Sequence, residues 1–161
     1  MRRWCLAVVF MVASHGLAHA ATSPRNAPRF NLPGVTAAVS SDSLLGKVVL
    51  VDFWASWCEP CRKSFPWMSD LYLRHAAEGF TIVAINLDKE RDKADAFLEE
   101  RPVPFLVAFD PEGKTAQAYR VSGMPSSFLL GRDGKIIETH IGFDPKKSAA
   151  LEAKIVEACK R

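Results

Sequence analysis

The sequence predicts an α/β fold in which helices cover both faces of a mixed central sheet. Three observations carry that prediction. Strand-like apolar runs alternate with stretches of helical periodicity from residue 48 to the C-terminus. The run Val48-Val49-Leu50-Val51 is β-branched and uninterrupted, as in a strand buried on both faces,. Two later apolar runs flank Arg132-Asp133-Gly134-Lys135, and Asp-Gly between such runs marks a hairpin, hence an antiparallel pair,. A chain of 161 residues that is 48% hydrophobic can bury one good core, so a single folded domain is expected,.

In chain order, Met1-Arg2-Arg3 is a basic start, residues 4–13 are a short apolar run and Ala18-His19-Ala20 is a small-x-small cleavage site. This predicts a secretory signal peptide over residues 1–20. An uncleaved membrane anchor is the competing reading, but the run falls short of the ~20 apolar residues that span a bilayer, and His15 and Gly16 interrupt it,. Residues 21–29, with Thr22, Ser23, Pro24, Asn26 and Pro28, lack the apolar content to order themselves and read as a flexible tether,. The domain is expected over residues 30–161. It opens with alternation at Phe30 and Leu32, a weak strand over 35–39, and a helical turn that Ser41-Asp42-Ser43 would cap and Gly46 would end,.

Beyond the first strong strand, a helix is expected from Cys58 to residue 78, with Phe65, Met68, Leu71, Tyr72 and His75 at helical spacing, a kink at Pro66 and a stop at Gly79,. His75 has no partner at metal-ligand spacing and reads as a satisfied or surface histidine. A strand follows over 80–87, then Asp88-Lys89-Glu90 as a solvated turn, then a helix over 91–100 with Ala94, Phe97 and Leu98 on one face,. Residues 105–109 read as a strand, Asp110-Pro111-Glu112-Gly113 as a turn and 115–119 as a short helix,. The hairpin strands are 127–130 and 136–141. A last helix opens near Asp144-Pro145 and buries Leu151, Ile155 and Cys159 as one stripe,.

The chemistry is concentrated in Trp57-Cys58-Glu59-Pro60-Cys61, at the strand-to-helix junction. A cysteine capping a helix meets unpaired N–H groups and the positive end of the dipole, which favour its thiolate, so Cys58 is the expected nucleophile. Cys61 lies one turn on, facing inward, as the resolving thiol. A structural zinc site is the alternative, but no second Cys or His pair stands at ligand spacing,. An inert disulfide across so short a loop would add little stability. The remaining cysteines are Cys5, in the leader, and Cys159, expected to be a buried, inert thiol,. With 21 basic and 18 acidic residues, nothing in the charge balance points to nucleic acid.

Together with Val121-Ser122-Gly123-Met124-Pro125-Ser126-Ser127-Phe128, the Trp-Cys-Glu-Pro-Cys motif resembles the TlpA/ResA group of exported thiol-disulfide oxidoreductases, within the thioredoxin superfamily. The resemblance spans residue 30 to the C-terminus and implies a thioredoxin-like fold and a periplasmic location. It implies that Pro125 is a cis-proline that sets the Met124 backbone against the dithiol, where a client strand can pair. It also implies that Asp52 is a buried acid beneath the site, a proton acceptor for Cys61; the bland alternative is a strand-end carboxylate in water. Trp57 would be a surface aromatic that helps to bind clients, while Trp54 is equally suited to the core. Asp88 and Glu90 are both candidates for a further acid that the family places after the second strand.

The expected reaction is reduction of a client disulfide: Cys58 attacks, and Cys61 resolves the mixed disulfide with help from Asp52. Glu59 and Pro60, between the cysteines, tune the redox poise, and Glu59 should oppose the dipole by like charge, favouring a reductant. By resemblance, the clients are apocytochrome c or the cysteines of a respiratory copper site, and the electron donor is a membrane thiol carrier of the DsbD/CcdA type. A monomer without cofactor or metal is expected. Two alternatives stay open: a disulfide-forming oxidase, and a carrier that holds Cu(I) through Cys58, Cys61 and Met124.

Overall fold

The computed structural model describes residues 25–161. The expected signal peptide, Cys5 and residues 21–24 of the expected tether lie outside the described residues. Seven strands and four α-helices follow in the order β1 (Asn31–Leu32), β2 (Val39–Ser40), β3 (Val48–Trp54), α1 (Glu59–His75), β4 (Phe80–Asn86), α2 (Arg91–Glu100), β5 (Leu106–Phe109), α3 (Lys114–Ala118), β6 (Ser126–Leu130), β7 (Ile136–Ile141) and α4 (Pro145–Cys159). The last five strands form a mixed sheet in the order β5-β4-β3-β6-β7. In it β3, β4 and β5 run parallel, while β6 runs antiparallel to both β3 and β7. This is the thioredoxin-like architecture.

Every residue of β3 and β4 is buried, as uninterrupted apolar runs in the middle of a covered sheet require,. Alternation along β3 divides the core. Leu50 and Trp54 point to the face covered by α1, α2 and α4, where they meet Phe65, Phe97 and Ile155,. Val49, Val51 and Phe53 point to the other face, against α3 and the N-terminal segment. Trp54, Phe65 and Phe97 form a triangle of rings with centroids 4.8, 4.9 and 5.0 Å apart. Such pairs add about 0.5–1.5 kcal/mol each beyond area burial, so this cluster fixes the start of α1 against the sheet.

Of the weak strand expected over 35–39 only Val39 falls in β2, which pairs with β1, while residues 35–37 bend; the 3₁₀ turn after it, Ser41–Leu44, is capped by Ser40. α1 runs through Pro66 to His75, then tightens into a 3₁₀ turn over Ala76–Glu78 and ends at Gly79, whose φ of +84° suits a residue without a Cβ,. Residues 25–29, expected in the tether, are instead held by the hairpin: Ala27 N–H donates to Gly134 O at 3.0 Å and Ile136 N–H to Arg25 O at 2.9 Å. The domain therefore begins before Phe30. Backbone pairing rather than apolar burial orders these residues.

Candidate active site

Cys58 follows β3 through the loop at residues 55–57 and occupies the N-cap of α1, in extended conformation. Its Sγ accepts a hydrogen bond from the Cys61 N–H at 3.3 Å, the contact a thiolate at a helix N-terminus would use,. Pro60 sits in the first turn, where its missing N–H is no loss,. The two cysteines are joined as a disulfide, with Cys58 5% exposed and Cys61 wholly enclosed. Thus the outward sulfur belongs to Cys58.

Around Cys58 lies a shallow groove lined by Trp57, Pro60, Leu87, Val121, Gly123 and Met124, among others. Trp57 is 70% exposed, whereas Trp54 is fully in the core. The Met124–Pro125 peptide is cis. Of the three sulfur donors considered for copper, Cys58 and Met124 line the groove and Cys61 is enclosed behind it. Glu59 was expected to oppose the helix dipole. Its carboxylate is exposed, with Lys63 at 3.5 Å and Arg62 at 4.0 Å, one turn on,.

Two acids flank this site from inside. Asp52 is 1% exposed, in the middle of β3 rather than at a wet strand end. Its Oδ1 accepts from Ser127 Oγ at 2.6 Å, and its Oδ2 has no partner among the described residues. Burial pushes its pKa up from 3.8 to about 7, against the smaller lowering effect of the Ser127 hydrogen bond,.

Asp88, expected in a solvated turn, is 5% exposed. Its Oδ2 accepts from the Ser56 N–H at 2.9 Å and from Asn86 Nδ2 at 2.7 Å, and its Oδ1 from Ser56 Oγ at 3.0 Å. It thereby ties the end of β4 to the loop that presents Trp57 and Cys58. Arg62 Nη1 donates to Ser56 O at 3.4 Å. Glu90, the other candidate acid, is exposed and pairs with Lys93 at 3.1 Å.

Asp52, Ser64, Trp67, Pro125, Ser127 and His140 line part of a cleft of about 290 Å³ on the other side of the Met124–Pro125 bond from the groove. Ser64 Oγ donates to Cys61 O at 2.9 Å, so the cleft abuts the turn that carries Cys61. The sequence reading missed His140 and the cleft. The signal was present in the hairpin register, which pairs His140 with Ser127.

Away from the site, His75 is held between Glu78 at 3.3 Å and Glu152 at 3.1 Å, which accounts for it as a satisfied histidine. Cys159 is half-buried against the core at the end of α4, where burial pushes its thiol pKa up and reduces its reactivity near neutrality,.

The Redoxin family model matches residues 22–155. The chain is 33% identical over 124 residues to the thiol-disulfide oxidoreductase ResA of Bacillus cereus, covering 76% of this chain and 72% of that protein. It is 37% identical over 140 residues to the thiol:disulfide interchange protein CycY of Rhizobium leguminosarum bv. viciae, covering 86% and 70%. Among solved structures, a Chlorobium tepidum protein described as a putative thiol:disulfide interchange protein DsbE superposes with a TM-score of 0.83 at 48% identity, covering 84% of this chain and 96% of that one.

Proposed function

We propose that this chain, which belongs to the Redoxin family and is a ResA-like thiol-disulfide oxidoreductase of the thioredoxin superfamily, acts as an exported reductase of client disulfides. The observation that carries the reading is the placement of the two sulfurs. Cys58 Sγ caps α1 in a groove that a client can enter, and Cys61 is enclosed behind it. In the reduced protein the Cys58 thiolate attacks a client disulfide, and the first client sulfur leaves as a thiolate. Cys61 then gives its proton to Asp52, and its thiolate attacks Cys58 Sγ. That breaks the mixed disulfide and releases the second client thiolate, so two electrons pass from the dithiol to the client. A carboxyl with a pKa of about 7 is matched to taking a thiol proton near neutral pH,.

Trp57 offers a rigid apolar surface to the client, and the Met124 backbone beside Pro125 offers hydrogen-bonding groups to an extended client strand,. Glu59 and Pro60 tune the poise of the pair from between the cysteines. Residues 1–20 are the proposed signal peptide, and the proposed location of the domain is the periplasm, where it acts as a monomer. There a reductase needs electrons from across the membrane, supplied by a thiol carrier of the DsbD/CcdA type. The proposed clients are apocytochrome c or the cysteines of a respiratory copper site.

The test of direction is the Cys58/Cys61 reduction potential, measured against thiol-disulfide buffers in the chain from Ala21. A value around −270 mV supports a reductase; one around −120 mV makes the protein a disulfide donor and overturns the proposal.

A further inference from the structure

The proton that Cys61 gives to Asp52 has to leave, and the groove is covered while a client is attached. The cleft is a separate opening. It shares no lining residue with the groove; Met124 lines one and Pro125 the other. Asp52 stands in its wall with an unpartnered, buried Oδ2, which has no protein group among the described residues to hand a proton to. Water that enters the cleft beside the Asp52 side chain would be the acceptor for that oxygen, and about 290 Å³ has room for several waters at ~30 Å³ each,.

The strand register leads the same way. Asp52 pairs with Ser127 across β3 and β6, and Ser127 pairs with His140 across β6 and β7. Cross-strand partners share a face, so the three side chains form one polar row from the buried centre of the sheet to its edge. His140 is half-buried on edge strand β7.

The other charged groups around the cleft are less suited to passing a proton. Lys147 of α4 has no acceptor lone pair when charged, and Asp144 caps α4 by accepting from the Lys146 N–H at 2.9 Å,. Glu138, next on the same face of β7, is paired with Lys154 of α4. α1 contributes Ser64, Trp67 and Met68, and the β4 neighbour of Asp52 is Ala84, none of which titrates. His140 carries an imidazole, whose two ring nitrogens can accept a proton on one side and release one on the other,.

We propose that this cleft is the proton outlet of the dithiol and that His140, on its rim, passes the Asp52 proton to solvent. The inference rests on the reading of Asp52 as acceptor for Cys61. Cys61 S–H breaks and Asp52 Oδ2 gains the proton; Asp52 then releases it to cleft water, which passes it to the His140 imidazole and on to bulk. The carboxylate is restored for the next turnover, and no further oxidant or reductant is required. During reduction of the protein by its donor, the same path runs inward.

The test uses the reduced chain from Ala21 with Cys159→Ser, mixed with Ellman's reagent, which releases one coloured thiolate when Cys58 attacks and a second when Cys61 resolves. The two phases are followed from about pH 6 to pH 8. His140→Gln should leave the first phase unchanged, which shows the fold and Cys58 intact. It should slow the second phase roughly tenfold at the acid end, and added imidazole should restore it. A second phase that is unchanged, or slowed but not restored by imidazole, overturns the outlet. Asp52→Asn tells the two readings apart. If it slows the second phase beyond rescue by imidazole while His140→Gln fails its test, the acceptor stands and the outlet falls. If it leaves the second phase at the parent rate, the acceptor role falls and the outlet with it.

Discussion

Asp52 and Asp88 are both buried carboxylates close to the dithiol, and they are treated in opposite ways. Asp88 accepts three hydrogen bonds from Ser56 and Asn86, using both oxygens. Asp52 accepts one from Ser127 and leaves its second oxygen bare. A carboxylate supplied with donors is stable as an anion and serves to fix backbone; one short of donors is poised to take a proton. Asp88 thus holds the loop that presents Cys58. Asp52 lines the cleft that abuts the Cys61 turn, with its pKa raised to about 7. The contrast shows that burial alone does not set a carboxyl's character: the count of donors around it does.

The largest expected effect comes from neutralising Asp52. Its folded-state pKa of about 7 lies above the ordinary 3.8, so between those values the folded protein holds a proton that the unfolded chain has lost,. Stability therefore falls as pH rises through that window, by about 4 kcal/mol for a shift of about three units. Asp52→Asn should remove this slope, gaining up to about 4 kcal/mol near pH 8 and close to nothing near pH 4, measured by urea unfolding across pH. Equal gains at both ends would mean that Asp52 is not protonated in the fold.

Asp88→Ala should act in the other direction. It strands the Ser56 N–H and the Asn86 amide, at about 2–4 kcal/mol of stability, and loosens the loop before Cys58. A loss under about 1 kcal/mol at neutral pH in the same unfolding assay would place Asp88 outside the framework of the site. Ser127→Ala should be milder, about 1 kcal/mol, and informative in sign. Because its hydroxyl lowers the Asp52 pKa, removing it should push that pKa higher still, seen as a displaced midpoint in the pH dependence of stability. Glu59→Gln is expected to change stability by no more than about 0.5 kcal/mol, since its ion pairs with Lys63 and Arg62 are largely solvated,.

Much of this was legible in local sequence. The run that became β3 and the span of α2 declare themselves by periodicity, and Cys58 as a helix cap follows from where the strand ends. The burial of Asp52 was expected by resemblance, and its place in an apolar strand agrees with it,. Asp88 was misread because nothing near it in sequence shows that Ser56, 32 residues earlier, turns its N–H and hydroxyl inward. Residues 25–29 were misread for the same reason, since their partners are Gly134 and Ile136, over a hundred positions away. His140 lay between these cases. Its place opposite Ser127 follows from the hairpin, but the cleft it borders is made by β3, α1, β6, β7 and α4 together.

The most direct test of the contrast between the two acids is an infrared pH titration of the disulfide form, following the carbonyl stretch of a neutral carboxyl. The account predicts such a band at pH 6, lost with a midpoint of about 7, absent from Asp52→Asn and retained in Asp88→Asn,. A protein with no neutral carboxyl at pH 6, or one whose band disappears with Asp88 instead of Asp52, would contradict it.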